Sequence, residues 1–188
     1  MGTYQGLLLL PGTAQHMAHE RMVQRQLGEK LAELLGCPFL GPYQPGMQIR
    51  GRHYFLPEDT LVGDVGSLGI DGPNDFFGGQ VGHAFLATKA ISHPALEAPR
   101  HLPAGWSERL AWQVESVTLQ GFSVFDLEDA AEAGQRLLRE GPIRLKPVDG
   151  TGGRGQQVVR AHDELANALA AFDEPRVREQ GLVLEEDL

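Results

Sequence analysis

The sequence predicts an α/β protein, and three observations support that fold class. Tyr4 to Leu10 is a short apolar run stopped by Pro11-Gly12, which suits a buried strand of a largely parallel sheet. A helix-type pattern follows, and a strand that enters a helix through a tight turn begins an α/β unit. The last third of the chain then alternates helical and extended patterns up to Leu184.

Composition limits the classes of partner. Hydrophobic residues make up 41% and charged residues 22% of 188 residues, enough for a core of one domain or two small ones. The net charge of -9 disfavours a nucleic-acid surface, because phosphate binding needs clustered Lys and Arg. No apolar run approaches the roughly 18 residues of a membrane helix. Cys37 is the only cysteine, which excludes an intrachain disulfide. We therefore expect a cytoplasmic globular protein.

The first helix is predicted from Thr13 as its N-cap to Leu35, with Gly36 as its stop. Its predicted buried face consists of the apolar residues Val23, Leu27, Leu31, Leu34 and Leu35. His16 and His19 share a face of this helix beside Glu20, and we interpret them as incidental surface residues because no third ligand has a matching spacing.

The middle of the chain is rich in proline and glycine. Pro38 to His83 excludes long helices and predicts irregular loops with short strands such as Thr60 to Val62. A surface connection is the favoured interpretation, and a loop that shapes a ligand site is the alternative. Beyond it, Ala84 to Ile91 is helical or extended, with His83 and His93 flanking Lys89. A short helix is predicted at Glu108 to Gln113 and a strand at Ser116 to Leu119.

The last third carries the clearest pattern. Asp126 caps a helix that runs to about Glu140 and buries Leu127, Ala130, Ala131, Leu137 and Leu138. Two strands follow, Ile143 to Lys146 and Gln157 to Arg160, joined by a glycine-rich turn. Asp163 then caps a helix with Leu165, Ala168, Leu169 and Phe172 at helical spacing, and an apolar strand covers Gly181 to Leu184.

The glycine turn, residues 150–155, reads Gly150-Thr151-Gly152-Gly153-Arg154-Gly155 and satisfies G-x-G-x-x-G. A dinucleotide fingerprint requires a helix at the loop, whereas this turn runs into a β-rich segment. The alternative hypothesis of a nicotinamide oxidoreductase rests on that match alone, and a helix beginning at Gly155 would favour it. A Walker A loop requires Gly-Lys-Ser/Thr, which is absent here.

Phosphate binding explains the glycine turn better than a plain hairpin does. Four glycines in six residues exceed what a turn needs, and they let backbone N–H groups approach phosphate oxygens. Lys146 lies at the end of the preceding strand, where its ammonium would hold the same phosphates, and Arg154 would add a second cation. The alternative is an ordinary β-hairpin with a chance lysine.

Phe122 to Leu188 resembles the nucleotide-binding subdomain of ATP-grasp proteins. Two segments carry the resemblance, the strand and turn from Ile143 to Gly155 and the hinge-like strand from Gly181 to Leu188. The whole chain resembles an uncharacterised bacterial branch of that superfamily, a domain of unknown function. The resemblance implies an N-terminal α/β domain over 1–115 and a partial nucleotide-binding subdomain of antiparallel strands plus helices over 116–188, truncated at the hinge strand.

The resemblance also implies roles for particular residues. Lys146 would contact the phosphates of ATP, and the turn residues Gly150, Gly152, Gly153, Arg154 and Gly155 would cover them. The segment from Glu185 to Leu188 would meet the adenine and its sugar, with Glu185 and Leu188 as the named contacts. Lys89 is the candidate for the earlier phosphate-binding lysine of the family, with a surface lysine as the equal alternative.

By the same resemblance, an intact relative would be a ligase that phosphorylates a small-molecule carboxylate with ATP and joins it to an amine or thiol. The family's magnesium ligands lie beyond the hinge strand, so we expect no catalytic residues here and weak or absent binding of ATP with Mg. The alternative is a non-catalytic binding module that retains the fold. The apolar edge of the last strand makes a homo-oligomer a further expectation.

Overall fold

The structure is a computed structural model that describes residues 4–12, 18–150 and 152–188. The chain forms two compact units, Met1–Gly82 and His83–Leu188. The segment 83–115, which the sequence analysis assigns to the N-terminal domain, clusters with the second unit. The reason is a shared core, because Phe85 and Ala90 pack with Phe125, Val148 and Val183.

The first unit is built on a three-stranded parallel sheet of order β2-β1-β3. Its elements are β1 (Leu7–Leu10), α1 (Ala18–Leu35), β2 (Phe39–Pro42) and β3 (Tyr54–Pro57). All four residues of β1 are buried, which confirms the strand predicted from the apolar run. The predicted cap Thr13 and His16 lie outside the described residues.

The buried face predicted for helix α1 is confirmed only in part, because Leu31 and Leu35 pack on the sheet and the other three residues do not. Val23, Leu27 and Leu34 are exposed, and Leu34 is 82% accessible. The face against the sheet consists of Gly28, Leu31, Ala32 and Leu35. The small residues decide this orientation, because a Cβ at Gly28 would lie only 2.9 Å from Leu9 Cδ2. Helix α1 can approach strand β1 this closely only along the side of the helix that carries Gly28 and Ala32.

The glycine-rich segment 63–82 covers the second face of this sheet. It contains β5 (Gln80–Val81), paired with β4 (Leu61–Val62), and a 3-10 helix, Gly66–Leu68. Its apolar residues Val65, Ile70 and Phe76 pack on Leu8, Leu10 and Phe55. The buried Asp75, which the sequence analysis missed, accepts hydrogen bonds from Arg52 Nε at 2.6 Å and Asp71 N at 3.0 Å. The segment is therefore part of the core packing.

The second unit holds an antiparallel sheet of order β6-β9-β7-β8. Its strands are β6 (Gly121–Val124), β7 (Ile143–Pro147), β8 (Gln157–Val159) and β9 (Leu182–Glu186). Its helices are α2 (Arg109–Val114), α3 (Leu127–Leu137), α4 (His162–Leu169) and α5 (Glu174–Gln180), with 3-10 helices at Ala84–Ala87, Lys89–Ser92 and Glu115–Val117. The whole chain is thus a mixed α/β protein, as predicted.

Several boundaries in this unit differ from the prediction. The prediction of a strand at Ser116 to Leu119 is wrong, because a 3-10 helix occupies Glu115–Val117 and the strand begins at Gly121. Helix α3 is capped by Asp126 as predicted but ends at Leu137, three residues early. Helix α5 has no counterpart in the sequence analysis, because its short polar sequence carries a single buried residue, Val177.

The two faces of the sheet carry different chemistry. Helices α3 and α4 pack on the face that presents Ile143, Leu145, Leu182 and Leu184. Alternation along the strands directs Arg144, Lys146 and Glu185 to the opposite face. None of the helices in the described ranges is long and apolar enough to cross a bilayer.

Candidate functional site

Lys146 and Glu185 meet on the face of the sheet opposite to helices α3 and α4. Lys146 lies opposite Val183 in the β7–β9 register, so Glu185 is its diagonal neighbour. Lys146 Nζ forms an ion pair with Glu185 Oε1. The side chain of Glu185 is only 7% exposed and that of Lys146 is 22% exposed. A nearly buried carboxylate is therefore held by a cation that retains access to solvent.

Lys89 joins this pair from a different part of the chain. It begins the 3-10 helix Lys89–Ser92, which Thr88 caps by accepting a hydrogen bond from Ala90 N at 3.2 Å. Lys89 Nζ donates to the carbonyl oxygen of Gly150 at 2.8 Å. Burial, and then the charge of Lys146, lower the pKa of Lys89 below its usual 10.5. Two of the three lysines in the sequence thus lie at the base of the glycine turn.

His93 completes the cluster, although its place in the sequence predicts only that it flanks Lys89. Its Nε2 lies 3.1 Å from the Leu119 carbonyl oxygen and 3.6 Å from Glu185 Oε2. Its Nδ1 lies 2.9 Å from Ser92 Oγ. The ring fits because Gly121 has no side chain, since a Cβ there would lie 2.8 Å from His93 Cδ2. In the sequence, the only sign of this close contact with His93 is the glycine at position 121.

Burial lowers the pKa of His93 below its usual 6.5, and Lys146 acts in the same direction. The Glu185 carboxylate and the Leu119 carbonyl act against this shift but are smaller causes. Both oxygens that face Nε2 are acceptors, so the neutral ring carries its proton on Nε2, while the Ser92 hydroxyl beside Nδ1 donates to the Lys89 carbonyl oxygen at 2.7 Å. A neutral imidazole therefore packs beside the Lys146–Glu185 ion pair.

The pKa of His93 predicts a pH dependence of stability. Between the lowered folded pKa and the unfolded value near 6.5, the unfolded chain binds more protons. The contribution of His93 is therefore present above pH 6.5 and is lost as the pH falls toward the folded pKa. We expect His93→Gln to flatten the decline in urea midpoint between about pH 7.5 and 5.5, relative to wild type. The exposed His162→Gln is the control, and an unchanged slope in His93→Gln would contradict the assignment.

The glycine turn is a hairpin connection between β7 and β8. Gly152, Gly153 and Gly155 have φ of 60°, 78° and 73°, which side-chain-bearing residues rarely adopt. A Cβ at Gly150 would lie 2.7 Å from the Arg154 carbonyl oxygen. Thr151 lies outside the described residues, and Arg154 is exposed. No helix begins at Gly155, because β8 follows at Gln157, so the dinucleotide fingerprint is not formed.

The end of the chain contributes a second ion pair. Arg144 Nε donates to Asp187 Oδ1 at 2.8 Å, and Arg144 Nη1 donates to Gln156 Oε1 at 3.1 Å. Leu188 is 95% exposed and is not brought into the lysine cluster. In the described part of the chain, no three His, Cys, Asp or Glu side chains converge on a point that could hold a metal ion.

The comparisons with known proteins bear on this arrangement. Residues 7–188 match the model of a family described as a protein of unknown function, DUF3182. The chain belongs to the DUF3182 family. No curated protein matches it.

Among solved structures, the DUF3182 chain is similar to D-alanyl-alanine synthetase A from Vibrio cholerae O1 biovar eltor, with a TM-score of 0.52 and 14% sequence identity. The similarity covers 100% of the DUF3182 chain and 60% of the synthetase chain. At this identity the likeness concerns the fold alone, and the synthetase is an ATP-grasp ligase. The DUF3182 chain thus has an ATP-grasp-like fold and spans 60% of the length of that relative.

Proposed function

We propose that the second unit of this DUF3182 chain binds ATP with Mg, with the phosphates held by Lys146 and Lys89 beneath the glycine turn. One observation carries the proposal. Lysines from two separate segments converge on the base of one glycine-rich hairpin, where Lys89 Nζ already contacts the Gly150 carbonyl oxygen at 2.8 Å. A structural hairpin has no need for two partly buried ammonium groups.

Electrostatics favour an anion at this place. The pKa of Lys89 is lowered by burial and by the charge of Lys146, so the two cations disfavour each other. The Glu185 carboxylate offsets part of this repulsion, because it forms an ion pair with Lys146. A phosphate between the two ammonium groups would stabilise both charged forms, and the N–H groups of the glycine turn would add hydrogen bonds.

Glu185 and the backbone that follows it would meet the adenine ring. Glu185 is the only predicted adenine contact whose described side chain reaches the lysine cluster, because Leu188 is exposed. We propose for the whole protein an ATP-dependent ligation that phosphorylates a carboxylate and transfers it to an amine or thiol. The fold similarity to a ligase supports this reaction class, and the substrate is not specified by it.

The nucleotide proposal predicts a specific pattern in calorimetry with Mg-ATP. Lys146→Met and Lys89→Met each remove one phosphate-binding cation while keeping the length of the side chain, so we expect each to weaken binding about tenfold. The third lysine, Lys30, lies on α1, and Lys30→Met is the matched control. Equal affinities for the wild type and for both site variants, or no heat from Mg-ATP at all, would refute the proposal.

A non-catalytic binding module is the second candidate. It is favoured by the ion pairing of Glu185 with Lys146, because each of these groups already has a partner within the protein. Release of inorganic phosphate from ATP in the presence of a mixture of small carboxylic acids and small amines and thiols distinguishes the two, because phosphate leaves when the nucleophile attacks the acyl phosphate. Phosphate release that Lys146→Met abolishes supports the ligase, whereas binding without release supports the module.

A further inference from the structure

The second unit contains a separate cleft of about 560 Å³. It lies between helix α2, the start of strand β6 and the end of strand β9. This volume is within the range of small-molecule sites, roughly 300–1,000 Å³. None of the lysines lines it, and neither does Glu185 or any residue of the glycine turn. The cleft adjoins the proposed nucleotide site, because His93 and Glu186 line it, but it contains neither the lysines nor the glycine turn proposed to hold the phosphates.

The walls of the cleft combine an apolar surface with an exposed aromatic ring. Pro94, Ala111 and Phe122 supply apolar contacts. Trp112 projects from the short helix α2 and is 67% exposed, which is unusual for a residue of this size. An accessible indole beside a concave apolar wall offers a face for stacking and for a cation.

The charges of the cleft have a single sign. Glu115 and Glu186 line it, and the described lining residues include no lysine or arginine. Glu186 is fixed in place because its Oε1 accepts a hydrogen bond from Gln120 N at 3.2 Å. His93, which forms part of the wall, is buried and has a lowered pKa, so it adds no positive charge at neutral pH. A phosphate or carboxylate ligand would be repelled here.

We propose that this cleft binds a small organic cation, an amine carried on an apolar or aromatic body. The ammonium group would lie between Glu186 and Glu115, and the apolar body would stack on Trp112 against Phe122. Carboxylates and an accessible indole face both attract a cation, and the apolar wall removes the body of the ligand from water. This site does not depend on the proposed nucleotide binding.

The test uses three probes of matched shape, measured by calorimetry without nucleotide. Phenethylamine is a cation at pH 7.5, 2-phenylethanol is neutral and 3-phenylpropanoate is an anion. We expect the amine to bind about tenfold more tightly than the alcohol and the anion to bind least. The indole N–H signal of Trp112 in NMR spectra should shift on amine binding, whereas that of Trp106, whose indole nitrogen is buried and which does not line the cleft, should not.

Substitutions of residues that line the cleft test whether the amine binds there. Glu186→Gln keeps the shape and the acceptor for Gln120 N, so we expect it to weaken amine binding about fivefold to tenfold and to leave the alcohol unchanged. Trp112→Ala should weaken both ligands. Glu179→Gln and Val117→Ala replace exposed residues that do not line the cleft, and they are the matched controls.

The proposal is overturned if the alcohol or the anion binds as tightly as the amine, or if Glu186→Gln and its control behave alike. Displacement of the amine by Mg-ATP would also overturn it, because the cleft would then belong to the nucleotide. Lys89→Met separates the two proposals, because Lys89 does not line the cleft and its loss should weaken Mg-ATP binding while amine affinity is retained.

Discussion

Phe125→Ala is expected to lower the free energy of unfolding of the second unit by about 3–5 kcal/mol. The Phe125 side chain is fully buried. Its ring makes edge contacts with Trp106, at a centroid distance of 4.9 Å, and with Phe85, at 5.7 Å. The substitution removes these aromatic contacts and leaves a cavity that the rigid sheet beneath cannot fill.

The position of Phe125 extends this effect to the lysine cluster. Its core cluster includes Ala90, next to Lys89, and Val148, two residues before the glycine turn. Loosening of this cluster should therefore weaken the contact between Lys89 Nζ and Gly150. We expect any measured affinity for Mg-ATP to fall together with stability.

Urea denaturation followed by tryptophan emission measures this loss of stability, because Trp106 packs directly on Phe125. Phe125→Leu is the matched control and should cost less than the alanine variant, since it keeps most of the buried apolar volume. A loss below about 1 kcal/mol for Phe125→Ala would show that this aromatic cluster does not hold the unit together.

Gly121→Ala is expected to destabilise the same unit by about 1–3 kcal/mol or more. The added Cβ would lie 2.5 Å from the Leu184 carbonyl oxygen, 2.8 Å from His93 Cδ2 and 2.9 Å from Glu185 Cβ. The carbonyl belongs to the neighbouring strand, so the strain cannot be relieved by turning a side chain. Either the β6–β9 pairing widens or the imidazole moves away from Glu185.

Gly141→Ala is the control for this substitution. Among the described residues, no heavy atom lies within 4 Å of a Cβ placed at Gly141, so this variant should unfold at nearly the wild-type urea concentration. In Gly121→Ala, the pH dependence of the urea midpoint should also lose the part assigned to His93. Wild-type stability in Gly121→Ala would show that strand β6 does not approach β9 as closely as described.

Much of the second unit follows from local sequence. The strand from Ile143, the glycine turn, the cap at Asp126 and the apolar strand before Glu185 are all predicted. Each depends on interactions within a few residues, namely capping, alternation and the backbone freedom of glycine. The short helix α5 and the true position of β6 escape prediction, because their patterns are too short to separate from those of loops.

The sequence by itself determined the α/β class, the glycine turn with its preceding Lys146, and the acidic segment that begins at Glu185. Only the tertiary structure decided which side chains accompany them. Lys89 and His93 belong to a segment that lies far from the glycine turn along the chain and whose helical pattern is short. The His93 imidazole fits beside strand β6 because Gly121 has no side chain. The physical reason is that strand register and burial act between residues far apart in sequence, where no local pattern records the contact.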